Sequence, residues 1–544
     1  MNSPNLLTRR SFLDRSLKIG GGCALATLTD IPFVMKRALA ESPAIGRNGK
    51  KLLFIFLRGA NDALNSVIPV LDPAYAPSRP TLKISTDPAL RYDASGACLD
   101  IALASPSAPT YQFPHAIPLG NGFAALHPSL RFLARSYNAG QLALVHRVGY
   151  RGQNRSHFES QANWESGVPN ANRSDGIFYR TLAEGGLVQT RPLSGISIQS
   201  ALPLLLQGRE GALTNIADPT ELDLFGVPGT EAGKPPLLEA IRAANNIPFP
   251  SRENRELLQL HYRNLLETQS LLAGVRFDEA SNTFLDDQAL DGESEPYYLF
   301  PTTDAKNGGS RLHGNDREKL VVDPAGYGFF RSLKAAAQIL TQTDAVIAGT
   351  EIPNWDTHVA QGSLTGAHPT LLRYLGWALH ALRKFFLLYG RGGPRALPGA
   401  QAGWDDVVVV TLSEFGRTTV QNDSLGTDHA EGGLMIVAGG RVKGFHAGLP
   451  RSGVYGGHPA DAYRGIALPW QTGPGGSMFG VTGRYLKRIV DFRSVLGELI
   501  RDHLGATQAQ LDRIIPAYAV PSEALMNGGV STDGTPLAGE LDLV

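Results

Sequence analysis

An α/β fold on a mostly parallel, two-sided sheet is what this sequence predicts, and three observations carry the expectation. Short, wholly apolar runs recur along the chain, beginning with Lys51–Leu57 (KLLFIFL). Amphipathic helical patterns separate most of them, and turn-forming residues follow directly on several of the runs. A strand covered on both faces has no polar face to show, so it reads as a continuous apolar run rather than an alternation.

The first run stops at Arg58-Gly59-Ala60-Asn61, a strand entering a loop. The same pattern returns at Leu142–Val148, Ala345–Ile352, Val407–Leu412 and Leu434–Gly439. Helical periodicity marks Pro128–Tyr137, Phe158–Gly167, Arg252–Leu272, Phe330–Thr341 and Thr370–Leu388. Strands alternating with helices argue for helices on both faces of a parallel sheet. Residues 71–120, rich in Pro, Ser, Ala and Gly, and residues 277–315, mixing Asp, Glu, Gly and Asn, read as surface excursions. One domain over 41–518 is expected, with insertions near 71–120 and 205–330, followed by a polar C-terminal tail over 519–544.

The N-terminus predicts export. Thr8-Arg9-Arg10-Ser11-Phe12-Leu13 is a paired arginine ahead of the weakly apolar run Ile19–Val34, and Ala38-Leu39-Ala40 offers small residues at a cleavage point before Glu41. Residues 1–40 therefore read as a twin-arginine signal peptide, with the twin-arginine translocase as the partner during export and a periplasmic or secreted location. Gly20–Gly22 and Asp30 leave the run too short and polar for a membrane anchor, which needs roughly 20 apolar residues. No other segment reaches that length, so no span is expected in the mature form. Because this route carries folded proteins, a metal inserted before export is favoured.

The 544 residues hold 50 basic and 50 acidic side chains, of which residues 1–40 take six and two, leaving 44 against 48. A mildly acidic chain without basic blocks gives no electrostatic case for nucleic acid. Of the two cysteines, Cys23 leaves with the signal and Cys98 stays alone, which excludes an intrachain disulfide and a thiolate metal site in the mature chain.

In open α/β sheets ligands bind beyond the carboxyl ends of the strands, so the residues just after each strand are the candidates for chemistry. Asp62 follows the first strand. After the strand containing His146 come Arg155, Ser156, His157 and Glu159, then a helix. Ser156 and Glu159 fit a capping box, but a serine at a helix N-terminus can equally face an anionic ester as a nucleophile. Asp356 and His358, two apart on an extended stretch, point to one side and can chelate a divalent ion. Glu414 ends an apolar strand, where a carboxylate is costly unless paired, and Arg417 is one partner for it. Asp428 and His429 add a further carboxylate and imidazole. Such an oxygen-rich set with a few imidazoles suits Zn²⁺, Mn²⁺ or Mg²⁺, and two ions together could clamp attacking and leaving oxygens.

Seven ordered segments carry a family resemblance: LRGANDALN, LHPSLRFLARSYNAGQLALVHRVG, RSHFESQANWESG, NWDTH, SEFGRT, GTDH and VDFRSVLGELIRDHLG. Spanning roughly Lys51 to Gly505, they resemble the domain-of-unknown-function 1501 family, twin-arginine-exported proteins of the alkaline phosphatase-like superfamily. That resemblance implies a two-metal site with a serine, threonine or formylglycine nucleophile, and one or two divalent ions are expected in this chain. Asp62 and Glu414 would hold one ion beside Ser156, and Asp356, His358 and His429 the other. Arg155, His157, Arg417 and Asp428 would support the ligands or hold a substrate anion, the arginines bidentately. Where superfamily hydrolases commonly place an Asp-His pair, this chain has Glu414-Phe415, and Ala430-Glu431 follows His429 where relatives often show glycine and histidine. The C/S-x-P-x-R signature of formylglycine sulfatases is absent. The function expected is hydrolysis of phosphate, and less readily sulfate, esters of small anionic substrates, with Ser156 or a metal-bound hydroxide attacking. The alternative is an exported binding or assembly protein, with an exported protein as partner, that keeps the fold without turnover.

Overall fold

The computed structural model describes residues 45–86 except 71, 115–119, 124–209 except 172–174, 211–219, 253–275, 284–286, 297–302, 322–445, 453–456, 485–544 except 487, and a few shorter pieces. The expected signal peptide, Cys98 and most of the 71–120, 205–330 and 277–315 excursions lie outside them.

Nine strands form the central sheet: β1 (Lys51–Leu57), β2 (Leu142–Gly149), β3 (Gly195–Ile198), β4 (Thr214–Ile216), β5 (Ile347–Ile352), β6 (Val407–Leu412), β7 (Gly433–Gly439), β8 (Val454–Tyr455) and β9 (Val490–Asp491). Their order is β8-β2-β7-β6-β1-β5-β3-β4, and β9 joins the end of β2. Only β7 runs against its neighbours. The protein is thus mixed α/β with a large, mostly parallel sheet.

All seven residues of β1 are buried because the strand is sandwiched. Leu53, Ile55 and Leu57 enter one core, whereas Leu52, Phe54 and Phe56 enter the other. The first core is closed by α5 (Tyr327–Gln342) and α6 (Ala367–Leu388), and the second by α3 (Ile177–Glu184) and α7 (Phe492–Glu498). Three further helices are α1 (Ala63–Ser66), α2 (His157–Ser166) and α4 (Glu253–Leu272). Helix α2 lays Trp164 on Phe492, ring centroids 4.3 Å apart, and ends at Gly167, whose left-handed φ of 66° closes the last turn.

The C-terminal segment lies against the body. Leu525, Leu541 and Leu543 are 0% exposed within the second core, and the buried Glu498 carboxylate accepts the backbone N–H groups of Leu541 and Leu543. Its polar composition hides three leucines at spacings that follow neither a helix nor a strand, so periodicity could not announce them.

Candidate metal centre

The carboxyl ends of β1, β5 and β6 bring the candidate side chains together, because these three strands are immediate neighbours in parallel register. The loop leaving β1 passes so close to the loop leaving β5 that a Cβ on Gly59 would lie 2.5 Å from the backbone nitrogen of Asp356. With φ at +110° as well, this position admits only glycine.

Three ligand atoms converge. Asp356 Oδ1 lies 3.0 Å from His358 Nε2 and 3.2 Å from His429 Nε2, and the two imidazole nitrogens are 2.8 Å apart. Atoms so spaced lie on a circle of radius about 1.7 Å, so points about 2.0–2.1 Å from all three, the usual zinc–nitrogen length, exist on either side of their plane. His157 stands next to them, its ring 4.4 Å from that of His429 and its Nε2 3.4 Å from Asp356 Oδ2. His157, Asp356 and His429 each present a ligand atom within 4.8 Å of the others.

The hydrogen bonds behind these rings decide which nitrogen faces inward. His358 Nδ1 is 3.0 Å from the Asp428 carboxylate, which also accepts from Asn422 at 2.9 Å. His429 Nδ1 is 2.8 Å from the Arg155 carbonyl, and His157 Nδ1 is 2.8 Å from Glu414 Oε1. An acceptor at Nδ1 fixes the proton there, so in the neutral rings all three Nε2 atoms carry lone pairs. His358 and His429 then face lone pair to lone pair at hydrogen-bonding distance, an arrangement that needs a proton or a cation between them. Burial lowers the proton affinity of His429, aided by the nearby Arg417 charge.

Electrostatics support the same division of labour. Burial pushes the Asp356 carboxyl up, but the Arg417 hydrogen bond and charge outweigh it and hold the group at about 2, ionised at any working pH. The Glu414 hydrogen bond, opposed by burial, raises His157 above its ordinary value. Glu414, fully buried, is itself held below the ordinary carboxyl range: burial raises it, but bonds from His157, Gln161 at 3.0 Å and the Gly59 N–H at 2.8 Å outweigh that. Glu414 Oε2 and His157 Nε2 make no hydrogen bond among the described residues.

Several expected roles are corrected. Asp62 does not join the cluster: it is buried in an ion pair with Arg79, at 2.5 and 3.1 Å, and also accepts from Gln361 at 2.6 Å and Leu64 N–H at 3.2 Å, so its oxygens are saturated. Arg417 pairs with Asp356 rather than Glu414 and is not free for a substrate anion. Its guanidinium donates to the carbonyls of Gly59, Ala60, Trp355 and Thr427, tying the strand ends together. Arg155 contributes its carbonyl, while its guanidinium rests 4.8 Å over the Tyr485 ring. Asp428 stands behind His358 and orients it, as carboxylates behind metal-bound histidines do.

Ser156 occupies the N-cap of α2, yet its hydroxyl makes no capping bond, and the capping box with Glu159 does not form. Asn154 Oδ1 instead accepts the Ser156 N–H at 2.7 Å, which turns the chain before the helix and leaves the hydroxyl exposed. Ser156→Ala is therefore expected to change stability by less than about 0.5 kcal/mol, below the cost of deleting a capping hydroxyl. Urea unfolding of the two chains checks this, and a clearly larger loss would show that the hydroxyl caps the helix in solution.

The site defines an α/β protein whose sheet edge gathers imidazoles and carboxylates in a geometry suited to a divalent cation. Residues 49–449 match the family described as protein of unknown function (DUF1501), and the chain belongs to that family. No curated protein and no solved structure matches it.

Proposed function

We propose that this chain is an exported, metal-dependent hydrolase of phosphate esters, with sulfate esters as the secondary class, on an alkaline phosphatase-like fold. The observation that carries the reading is the 2.8 Å approach of two imidazole nitrogens whose other nitrogens are both committed to acceptors. Asp356, His358 and His429 would hold the ion, with His157 as a further ligand and Asp428 and Glu414 fixing the rings behind them. When bound, a divalent cation supplies positive charge that lowers the pKa of an attacking oxygen and stabilises charge on the transferring group.

The chain's own residues do the rest. Ser156, at the positive end of α2 and one residue from His157, presents its hydroxyl as the nucleophile toward an anionic ester. Arg417 keeps Asp356 ionised and in place. The exposure of Asp356 (43%), His358 (37%) and His429 (26%) gives an ester direct access from solvent. Twin-arginine export fits a protein that must fold around its metal before crossing a membrane, and among the described residues no helix is long and apolar enough to span one.

The test is hydrolysis of aryl phosphate mono- and diesters and an aryl sulfate by the purified full chain, after chelation and after adding back Zn²⁺, Mn²⁺ or Mg²⁺. Metal-restored turnover, lost in Ser156→Ala, is expected. Metal binding without turnover on any ester would instead support an exported binding or assembly protein.

A further inference from the structure

Gln361 is wholly buried and touches none of the ligand atoms, yet each of its polar atoms is engaged with the loops that carry them. Its Oε1 accepts from Thr357 Oγ1 at 3.0 Å and from Thr427 Oγ1 at 2.6 Å. Thr357 lies between Asp356 and His358, and Thr427 lies two residues before His429. The Nε2 donates to Asp62 Oδ2 at 2.6 Å, and Asp62 is anchored by Arg79, which also grips the carbonyls of Thr418 and Thr419 at 2.7 and 3.0 Å. Backbone bonds run alongside, from Gln361 N–H to Leu425 at 3.0 Å and from Thr427 N–H to Thr357 at 3.2 Å.

We propose that Gln361 is the positioning residue of the metal centre, one amide that sets the separation of the Asp356–His358 loop from the His429 loop. The inference rests on the metal-binding reading above. Chemistry singles out this side chain: a carbonyl with two lone pairs takes both threonine hydroxyls, while the amino group gives its proton to a buried carboxylate. Glutamate in its place would face Asp62 with like charge, and an apolar residue would leave two hydroxyls without their acceptor and take one of two donors from Asp62 Oδ2. Because Asp62 follows β1 and is held by Arg79, the staple ties both loops to the end of that strand. Asp62 thereby acquires a part in the site without touching a cation.

Supporting residues behind metal ligands are worth roughly 10–100-fold in metal affinity, and that is the loss expected here. Zn²⁺ titration calorimetry of the chelated full chain should show it for Gln361→Leu, and for Thr357→Val and Thr427→Val, which keep the shape of threonine and lose only the hydroxyl. Thr357→Ser and Thr427→Ser keep the hydroxyl and should bind close to wild type. The Co²⁺ absorption spectrum should shift in the valine variants and not in the serine ones. If Gln361→Leu does not fold, the threonine pairs still decide the matter. Valine variants that bind like wild type, or serine and valine variants that lose alike, overturn the inference alone; a wild-type chain that binds no Zn²⁺ overturns the metal reading and this inference with it.

Discussion

Replacing His358 by alanine is expected to weaken divalent-metal binding by more than about 100-fold, the upper end of what a merely supporting residue costs. His358 contributes one of three converging ligand atoms, and its removal also leaves the Asp428 carboxylate without the ring it orients. The side chain is 37% exposed, so its packing matters little and the fold should survive. Calorimetric titration with Zn²⁺, paired with a circular dichroism melt, separates the two effects. Asp428→Asn should sit between His358→Ala and wild type, because it keeps an acceptor for His358 Nδ1 but loses the charge. A His358→Ala chain that melts early while binding metal normally would mean the cluster is structural.

Asp62→Ala should act first on the fold, costing about 3–5 kcal/mol of stability, the typical loss when one partner of a buried ion pair is removed. Arg79 would keep its bonds to Asn65 and to two carbonyls, but its charge would be left in the core. Urea unfolding measures the loss. The pH dependence has a definite sign. Burial raises the Asp62 carboxyl and Arg79 more than compensates, so the group sits at about 2 against an ordinary 3.8. A carboxyl held lower in the folded state than in the unfolded one stabilises fully above the unfolded value and loses that contribution as pH falls through the folded one. The Asp62 contribution should therefore be intact above about pH 4 and fade toward pH 2. A variant with unchanged stability and no metal would restore Asp62 as a ligand.

Sequence reasoning reached the centre of the fold more surely than its edges. Lys51–Leu57 and Val407–Leu412 were readable to the residue, because central strands buried on both faces leave uninterrupted apolar runs. Strands β3 and β4 escaped notice: Gly195–Ile198 and Thr214–Ile216 are short and interrupted by serine, threonine and asparagine. The reversed direction of β7 had a signal that went unused. Residues 413–432 hold no helical pattern to carry a parallel crossover, so the next strand had to return antiparallel.

At the site, local motifs were legible and long-range partners were not. Asp356, His358 and His429 could be found because each follows or precedes an apolar strand within a few residues. Asp62 obeys the same rule and was misassigned for that reason. Its partner Arg79 lies in a Pro-rich excursion where no periodicity fixes its neighbours. The expected Glu414–Arg417 pair failed likewise, since the two side chains go to different partners, His157 and Asp356. Gln361 left no trace at all, because an uncharged amide in a loop looks like any solvated residue until the loops are folded together.

If the three imidazole nitrogens and the Asp356 carboxylate hold a cation as proposed, X-ray absorption on the Zn²⁺-loaded full chain will see them around it. A bound ion with at least two imidazoles in its inner shell is expected, with loss of that signature in Asp356→Ala. An ion surrounded only by oxygen, or a chain that retains none after dialysis, would contradict it.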